Sequence, residues 1–305
     1  MVEGILPIWK EKGMTSFACV SRVRRLLGIK KVGHAGTLDP EVEGVLPIAV
    51  GAGTKVLEYM LEADKTYTGE ITLGYSTSTE DATGEIIEKK LVSKNIQAEK
   101  IDKVLTEFTG MIEQVPPMFS AVKIKGKRLY EYAFEGIEIE RPARRVQIYE
   151  MKRTSELIYD EKSEGLRFSF EVSCSKGTYI RTLAVDIGKK LGYPAHMSEL
   201  TRIRSGDIRS EQTSTLAEVE AAVADGTIEK LLLPIDYGLS HFTKVTIDDN
   251  LWNRVKNGAI LDQDDIEIED YPVLFIYSGV IVALYDRHPN KIGKLKPKKV
   301  FRIEM

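Results

Sequence analysis

The amino-acid sequence predicts an α+β protein. Apolar residues recur at helical spacing in some segments and alternate in others, and the two patterns mix without a regular strand–helix–strand rhythm. The chain has 305 residues, enough for about two domains. With 43% hydrophobic and 29% charged residues, it has an ordinary globular composition. We therefore expect a larger mixed domain over residues 1–240 and a small β-rich domain over residues 241–305.

The helices are predicted from apolar spacing and from their end residues. The first begins after Thr15 and Ser16, which are favoured capping residues, and ends at Gly28. Its predicted apolar face consists of Phe17, Val20, Val23, Leu26 and Leu27. Further helices are predicted over residues 98–108, 179–191, 215–223 and 248–255, with a short one capped by Thr54.

The strands are predicted from short apolar or alternating runs between turn residues. In the larger domain they cover residues 45–50, 67–73, 146–153 and 166–174, with a shorter one at 86–87. In the small domain they cover residues 273–277, 280–285 and 299–303.

Charge is segregated along the chain, although the net charge is −3. Basic clusters lie at residues 22–31, 123–128, 141–145 and 291–302, against an acidic segment at 262–270. Basic groups interleaved with aromatic ones suit a phosphate backbone and unstacked bases. Any one cluster alone equally fits a solvated surface, but four of them in an acidic chain favour a nucleic-acid partner.

Cysteine usage and hydropathy indicate where the protein works. Cys19 and Cys174 belong to no C-x-x-C pair, so neither a disulfide framework nor a zinc ribbon is predicted. No signal-peptide pattern is present, and no apolar run approaches the ~20 residues that span a bilayer. We expect a cytoplasmic protein.

The segment 33–40 is the strongest candidate for chemistry and reads Gly-His-Ala-Gly-Thr-Leu-Asp-Pro. Its glycines permit turn geometry, and Pro40 disfavours a helical conformation at Asp39, so this carboxylate is expected in a fixed extended or turn conformation. Such a loop can hold a reactive acid. An ordinary turn, in which Asp39 bonds nearby amides, fits the composition equally well.

An aspartate nucleophile fits better than the other chemistries considered. The four histidines form no ligand pair, so no metal site is predicted, and no G-x-S-x-G elbow or persuasive cysteine nucleophile is present. Burial would raise the pKa of a nucleophilic aspartate unless a cation offset it. Arg181 is the candidate cation. It follows Ile180 by about 100° of helical rotation, which predicts a position beside the buried stripe of its helix, within reach of a neighbouring loop.

Several blocks of sequence resemble the bacterial TruB-type pseudouridine synthases. They run in order over about the first 210 residues: Gly33-His-Ala-Gly-Thr-Leu-Asp-Pro40, Gly44-Val-Leu-Pro-Ile48, Lys65-Thr-Tyr67, Thr79-Glu-Asp-Ala-Thr-Gly84, Pro116-Pro-Met-Phe-Ser-Ala-Val-Lys123, Gly126-Lys-Arg-Leu-Tyr-Glu-Tyr132 and Cys174-Ser-Lys-Gly-Thr-Tyr-Ile-Arg181. Residues 279–285 and 296–301 resemble the family's PUA-type RNA-binding module. The resemblance implies a mixed, largely antiparallel central sheet flanked by helices, followed by a small PUA-like domain.

The resemblance also implies an activity, which is isomerisation of uridine to pseudouridine at the position numbered 55 in the T-loop of tRNA. The target base would be flipped out of its stack, and neither cofactor nor metal is implied. Asp39 would be the catalytic aspartate, Tyr67 would stack on the uracil, and Arg181 would pair with Asp39. The residues expected to bind RNA are His34, Thr37, Asp81, Leu200, Lys123, Arg128 and Arg144. The implied partner is tRNA through its T-arm stem-loop, no membrane or protein partner is implied, and we expect a monomer.

Simpler alternatives stand beside these roles. Tyr67 fits a core residue, His34 a turn filler and Asp81 a turn former. A non-catalytic RNA-binding or RNA-folding protein would use the same basic face, whereas a uridine methyltransferase would need a cofactor loop that the sequence lacks. Whether Asp39 attacks C6 of the base or C1′ of the ribose, or abstracts a sugar proton, stays open.

The sequence also departs from the family pattern at Glu41 and Glu43, where members commonly carry small neutral residues. Two acids beside a phosphate-rich ligand weaken the local attraction.

Overall fold

The structure is a computed structural model that describes residues 2–240, 242–266, 268 and 270–302. Its α-helices are α1 (Ser16–Leu27), α2 (Leu57–Glu62), α3 (Ala98–Glu107), α4 (Leu129–Phe134), α5 (Ile180–Leu191), α6 (Leu216–Ala224) and α7 (Asp249–Val255). None of the helices in the described part has the length and apolar composition needed to cross a bilayer.

The strands form two main sheets and two short hairpins. In the first 240 residues they are β1 (Gly4–Lys10), β2 (Val32–His34), β3 (Glu43–Val50), β4 (Lys65–Leu73), β5 (Tyr75–Thr77), β6 (Ile86–Lys89), β7 (Gly110–Gln114), β8 (Lys123–Ile124), β9 (Lys127–Arg128), β10 (Arg144–Arg153), β11 (Ile158–Asp160), β12 (Gly165–Cys174), β13 (Ala195–Ser205) and β14 (Ile208–Arg209). Beyond them lie β15 (Thr243–Thr246), β16 (Leu261–Asp262), β17 (Val273–Tyr277), β18 (Val280–Arg287) and β19 (Lys294–Val300).

The central sheet has ten strands, of which seven run in the order β1-β3-β13-β4-β12-β10-β7. The remaining three pair at the sides, β2 with β3, β14 with β13 and β11 with β12. Its pairs are antiparallel except for the parallel contact between β13 and β3. The α+β fold with a mixed, largely antiparallel sheet is therefore confirmed.

The main apolar core lies between this sheet and the helices α1, α3, α5 and α6, which bury one stripe each. The ends of α1 follow from local chemistry. The Thr15 hydroxyl accepts a hydrogen bond from the Ala18 amide at 3.0 Å, and Gly28 ends the helix in the left-handed region at φ 66°. Both ends agree with the sequence prediction.

The C-terminal sheet has the order β15-β17-β18-β19-β16 and confirms the expected β-rich character of this region. One apolar cluster of its residues belongs to the module alone, around Trp252, Phe275 and Tyr285. A second cluster is shared with the central sheet and unites Ile5, Ala35, Val45, Val56, Leu274, Ile281, Leu284 and Phe301. Lys55 adds a hydrogen bond from its Nζ to the Phe301 carbonyl at 2.7 Å. The two sheets therefore pack directly on each other.

Three local predictions were wrong. Phe17 is 64% exposed, because the buried stripe of α1 runs through Ser16, Cys19, Val20 and Val23. Thr54 does not cap a helix. Its hydroxyl donates to the Gly51 carbonyl at 2.8 Å within a 3-10 helix, and α2 begins only at Leu57. The last strand runs over Lys294–Val300 because Pro297 is accommodated at a register shift between β18 and β19; residue 303 of the prediction lies outside the described residues.

Gly188 lets α5 pack closely against the start of β13. A Cβ at Gly188 would lie 2.3 Å from the Ala195 Cβ and 2.8 Å from the Tyr193 carbonyl oxygen. We expect Gly188→Ala to lower the free energy of unfolding by about 1–3 kcal/mol, measured by urea denaturation, because backbone must shift. The exposed neighbour Lys189 serves as control, and Lys189→Ala should cost less than about 0.5 kcal/mol. Equal stability of the two variants would contradict this packing.

Candidate active site

A cleft of about 680 Å³ lies where loop 33–40 meets the central sheet. The start of α1, the strands β4 and β13, the start of α5 and the segment 119–130 complete its walls. Seven of the ten residues predicted for the site line it: Asp39, Tyr67, Arg181, His34, Thr37, Leu200 and Arg128.

Arg181 and Asp39 form an ion pair in this cleft. The Nε of Arg181 lies 3.0 Å from Oδ2 of Asp39, and its two terminal nitrogens donate to the carbonyls of Thr79 at 3.1 Å and Phe119 at 2.8 Å. The prediction that Arg181 reaches a neighbouring loop is confirmed, whereas its predicted position at the boundary of the buried stripe was wrong, since its side chain is only 7% exposed. Its hydrogen bonds tie it to the segments of Thr79 and Phe119, and these bonds satisfy the buried guanidinium.

The Asp39 carboxyl is half-buried, with 42% of its side chain exposed. Burial raises its pKa above the ordinary value, while the adjacent charge of Arg181 lowers it. Asp81 raises the pKa further and Lys10 lowers it. The net direction is upward, so the folded protein holds this carboxylate in a less solvated and more basic state than free aspartate.

The backbone on both sides of Asp39 is fixed by side chains from the first strand and helix. Ser16 uses one hydroxyl twice, donating to the Leu38 carbonyl at 3.1 Å and accepting from the Leu38 amide at 2.9 Å. Lys10, which is fully buried, donates to the Pro40 carbonyl at 3.0 Å. These contacts hold the loop in place and leave the carboxylate to face Arg181.

Tyr67 lies on β4, with Arg202 of β13 as its cross-strand partner. Burial raises the pKa of the Tyr67 hydroxyl, and the charge of Arg202 lowers it. Arg202 is itself 1% exposed and donates to the carbonyls of Val45 at 2.7 Å and Gly36 at 3.1 Å. A buried guanidinium thus joins strand β4, which carries Tyr67, to the loop 33–40.

The sequence reasoning missed Arg202 and Lys65 as parts of the site. Burial, followed by the charge of Arg202, lowers the pKa of Lys65 to about 8, and its Nζ donates to the Leu61 carbonyl at 2.8 Å. The sequence did contain a signal that Arg202 belongs to the site. It follows the predicted site residue Leu200 by two positions, and residues two apart share a face of an extended strand. Gly44 is required beside it, because a Cβ there would lie 2.2 Å from the Arg202 carbonyl oxygen, at φ 120°.

Two buried polar atoms among the cleft-lining residues lack a hydrogen-bond partner within the described residues. They are Nδ1 of His34 and Oγ of Ser120. Burial, then the charge of Arg202, lowers the pKa of His34, so the ring is neutral at pH 7. A buried polar atom without a partner costs about 1–3 kcal/mol, so a ligand that supplied partners here would gain affinity.

Asp81 stands behind the ion pair rather than in the cleft lining. Its Oδ1 accepts hydrogen bonds from the Thr79 hydroxyl at 2.6 Å and the Thr83 amide at 2.9 Å, which closes a turn. Its Oδ2 lies 3.9 Å from Nη1 of Arg181. The geometry shows a turn former with one carboxylate oxygen turned towards the arginine.

The remaining predicted RNA contacts are exposed around the cleft. Lys123 and Arg128 face each other as register partners in the β8–β9 hairpin, and Arg144 begins β10. Arg128 reaches the cleft, while Lys123 and Arg144 do not line it. No group of three or more His, Cys, Asp or Glu side chains in the described chain is arranged to hold a metal ion.

The two departures from the family pattern have neighbours of opposite charge. Glu41 is exposed, and Glu43 begins β3. Lys12 forms a hydrogen-bonded salt bridge with Glu199. The hydrogen bond to Glu199, followed by the charges of Glu199, Glu43 and Glu41, raises the pKa of Lys12. The extra acids are therefore partly compensated on the protein itself.

Solved structures resemble this fold over nearly its whole length. A chain of a Cbf5-Nop10-Gar1 complex is 30% identical, with a TM-score of 0.74, and the match covers 98% of this chain and 85% of that one. A chain of an H/ACA RNP bound to a substrate RNA containing 2'-deoxyuridine is 27% identical, with a TM-score of 0.70 and the same coverage. Fold and cleft together define a protein of the pseudouridine synthase class.

Sequence comparison gives the family. The model of the TruB family pseudouridylate synthase N-terminal domain matches residues 24–180, and that of the tRNA pseudouridylate synthase B C-terminal domain matches residues 181–240. The chain belongs to the TruB family, and its activity is that of a tRNA pseudouridine synthase, an isomerase.

Curated relatives are similar from end to end. The tRNA pseudouridine synthase B of Bacillus pumilus is 52% identical over 304 residues, covering 98% of each chain. That of Geobacillus thermodenitrificans is 52% identical over 307 residues, covering 99% of this chain and all of the relative, and that of Bacillus subtilis is 51% identical over 304 residues.

The raised pKa of Asp39 has a consequence for stability. An unfolded aspartate has a pKa of about 3.9, and folding raises it, so the stabilising contribution of the protonated carboxyl is lost as pH rises through the folded pKa. At pH 7 the ionised group therefore opposes folding. We expect Asp39→Asn to unfold at an equal or higher urea concentration than the native protein at pH 7, with the difference shrinking towards pH 4.

Asp160 provides a control of opposite sign. Hydrogen bonds from Ser163 and the Lys162 amide lower the pKa of its exposed carboxyl, so its contribution to stability is present at pH 7 and is lost in acid. Asp160→Asn should be less stable than the native protein at pH 7. A destabilised Asp39→Asn protein at pH 7 would show that the Arg181 ion pair outweighs burial.

Proposed function

We propose that this chain converts uridine to pseudouridine at position 55, in the T-loop of tRNA, with Asp39 as the nucleophile. The ion pair of Asp39 with the buried Arg181 carries the proposal. It keeps a carboxylate of raised basicity charged at the edge of a cleft, which is what a nucleophilic aspartate requires.

The reaction is an isomerisation, so substrate and product contain the same atoms. The N1–C1′ bond breaks, the uracil turns within the site, C5 joins C1′, and the proton at C5 is finally transferred to N1 through the site or solvent. No electrons are gained or lost, so no redox cofactor is needed, and we propose that the reaction proceeds without a cofactor or a metal. Asp39 can act by attack on C6, by attack on C1′ or by abstraction of a sugar proton.

The target base must leave its stack to enter the cleft, at a cost of a few kcal/mol. We propose that Tyr67 stacks on the extruded uracil and that Leu200, buried beside it on β13, closes the apolar side of the pocket. His34 takes the space that the nucleotide leaves, since its ring is neutral and lines the same cleft.

The RNA outside the cleft is proposed to contact exposed groups at its rim. Thr37 and Arg128 line the mouth, and Lys123 and Arg144 extend the basic surface for phosphates. Asp81 is proposed to bind a nucleotide displaced from the loop. The proposed substrate is the T-arm stem-loop of tRNA, bound by a monomer in the cytoplasm.

The direct test is to incubate the pure protein with unmodified tRNA and to map pseudouridine. We expect modification at position 55 alone, and Asp39→Asn should abolish it while the Kd for tRNA changes by less than about tenfold, or ~1.4 kcal/mol. Near-native turnover by this variant would exclude Asp39 as the nucleophile. Tight tRNA binding by the native protein without any pseudouridine would favour an RNA-folding role.

Substitutions at Tyr67 separate stacking from proton transfer. Tyr67→Phe keeps the ring and loses the hydroxyl, whereas Tyr67→Leu loses both. If stacking is its whole role, single-turnover rates of the Phe variant should stay within a few fold of native while the Leu variant is at least ~100-fold slower. If the hydroxyl accepts the C5 proton, the Phe variant should be nearly as slow as the Leu variant. A native single-turnover rate for Tyr67→Leu would show that Tyr67 has no role in the reaction.

A further inference from the structure

Phe17 is a large aromatic residue exposed at the mouth of the cleft. It is the second residue of α1, on the side away from the buried stripe, and 64% of it is accessible to solvent. A single exposed apolar residue needs no explanation by itself. Phe17, however, lines the same cleft as Asp39, Tyr67 and Arg181.

Phe17 is also close to the reactive loop through the backbone. Its neighbour Ser16 is hydrogen-bonded to both the amide and the carbonyl of Leu38, which precedes Asp39. Phe17 directly follows Ser16, and Asp39 directly follows Leu38. Each is therefore one peptide unit, about 3.8 Å between Cα atoms, from the hydrogen-bonded pair of Ser16 and Leu38. This places the aromatic ring and the carboxylate on adjoining parts of the mouth of one cleft.

A cation lies over one face of the Phe17 ring. The guanidinium carbon of Arg24 lies 5.9 Å from the ring centroid, and Nη2 of Arg24 donates to the Val32 carbonyl at 2.7 Å. The arginine is thus held by the strand that leads into the loop 33–40. Arg25 is a further cation on the same helix, whereas Arg22 forms a salt bridge with Glu220. An aromatic ring beside fixed positive charge is the combination that binds a single-stranded base and its phosphate.

We propose that Phe17 is a stacking platform for an unpaired base of the RNA next to the target uridine, with Arg24 over one face of the ring and the base on the other. The proposal rests on the proposed function, because it concerns the same RNA. It adds a binding position that is independent of the chemistry at Asp39. Stacking tolerates any base, so this contact contributes affinity and orientation rather than sequence readout.

The test measures Kd and single-turnover rate for a T-arm stem-loop with native protein, Phe17→Ala and Phe17→Tyr. The control is Ile86→Ala on the β5–β6 hairpin, which removes an equally exposed apolar side chain, 60% accessible, away from the cleft. We expect Phe17→Ala to weaken binding by roughly 5- to 100-fold with an unchanged salt slope, since no charge is removed. Phe17→Tyr and Ile86→Ala should bind within twofold of native. Thermal melting should be unchanged for all three variants.

A set of stem-loops, each lacking one loop base, identifies the stacked nucleotide. For one of them, native protein and Phe17→Ala should bind equally, because the partner of the ring is already absent. Unchanged binding by Phe17→Ala, or the same weakening for every abasic RNA, would overturn the proposal. Pseudouridine formation by the native protein is scored separately, so failure of the proposed reaction is distinguishable from failure at Phe17.

Discussion

The guanidinium of Arg181 holds together the chain segments that build the cleft. One nitrogen meets Asp39 and the other two meet the carbonyls of Thr79 and Phe119, so three segments far apart in sequence converge on the first turn of α5. Because the group is buried, loss of either carbonyl partner would leave part of its charge unsatisfied in a poorly solvated place. The shape of the cleft and the charge of Asp39 therefore depend on the same side chain.

The other buried cations around the site follow a shared pattern. Lys10, Lys65 and Arg202 are all buried and donate to main-chain carbonyls. Carbonyl oxygens do not titrate in the pH range where proteins are folded, whereas carboxylates do. The acceptors that hold the loop consequently keep their lone pairs when carboxylates are protonated, and a change in the charge of Asp39 leaves these hydrogen bonds to the backbone in place.

Local patterns in the sequence were enough for the fold class, for most helices and for the segment that contains Asp39. They were not enough for β13, a strand in the middle of the sheet, because register shifts near Glu199 and Arg204 break its alternation and a buried arginine lies within it. Phe17 and Arg181 were misplaced for a related reason. Helical spacing reports which side of a helix faces the sheet, but exposure also depends on the loops that fold over the helix end, and these come from distant sequence.

The apolar cluster shared by the two sheets joins them through one continuous packed region. Ala35 of the loop 33–40 and Leu284 of the C-terminal sheet belong to the same cluster, so neither is fully packed without the other. A domain attached by a flexible linker would have no fixed position relative to the cleft. Because the core of the C-terminal sheet continues into the loop that carries Asp39, every group on the surface of that sheet instead lies at a set distance from the carboxylate.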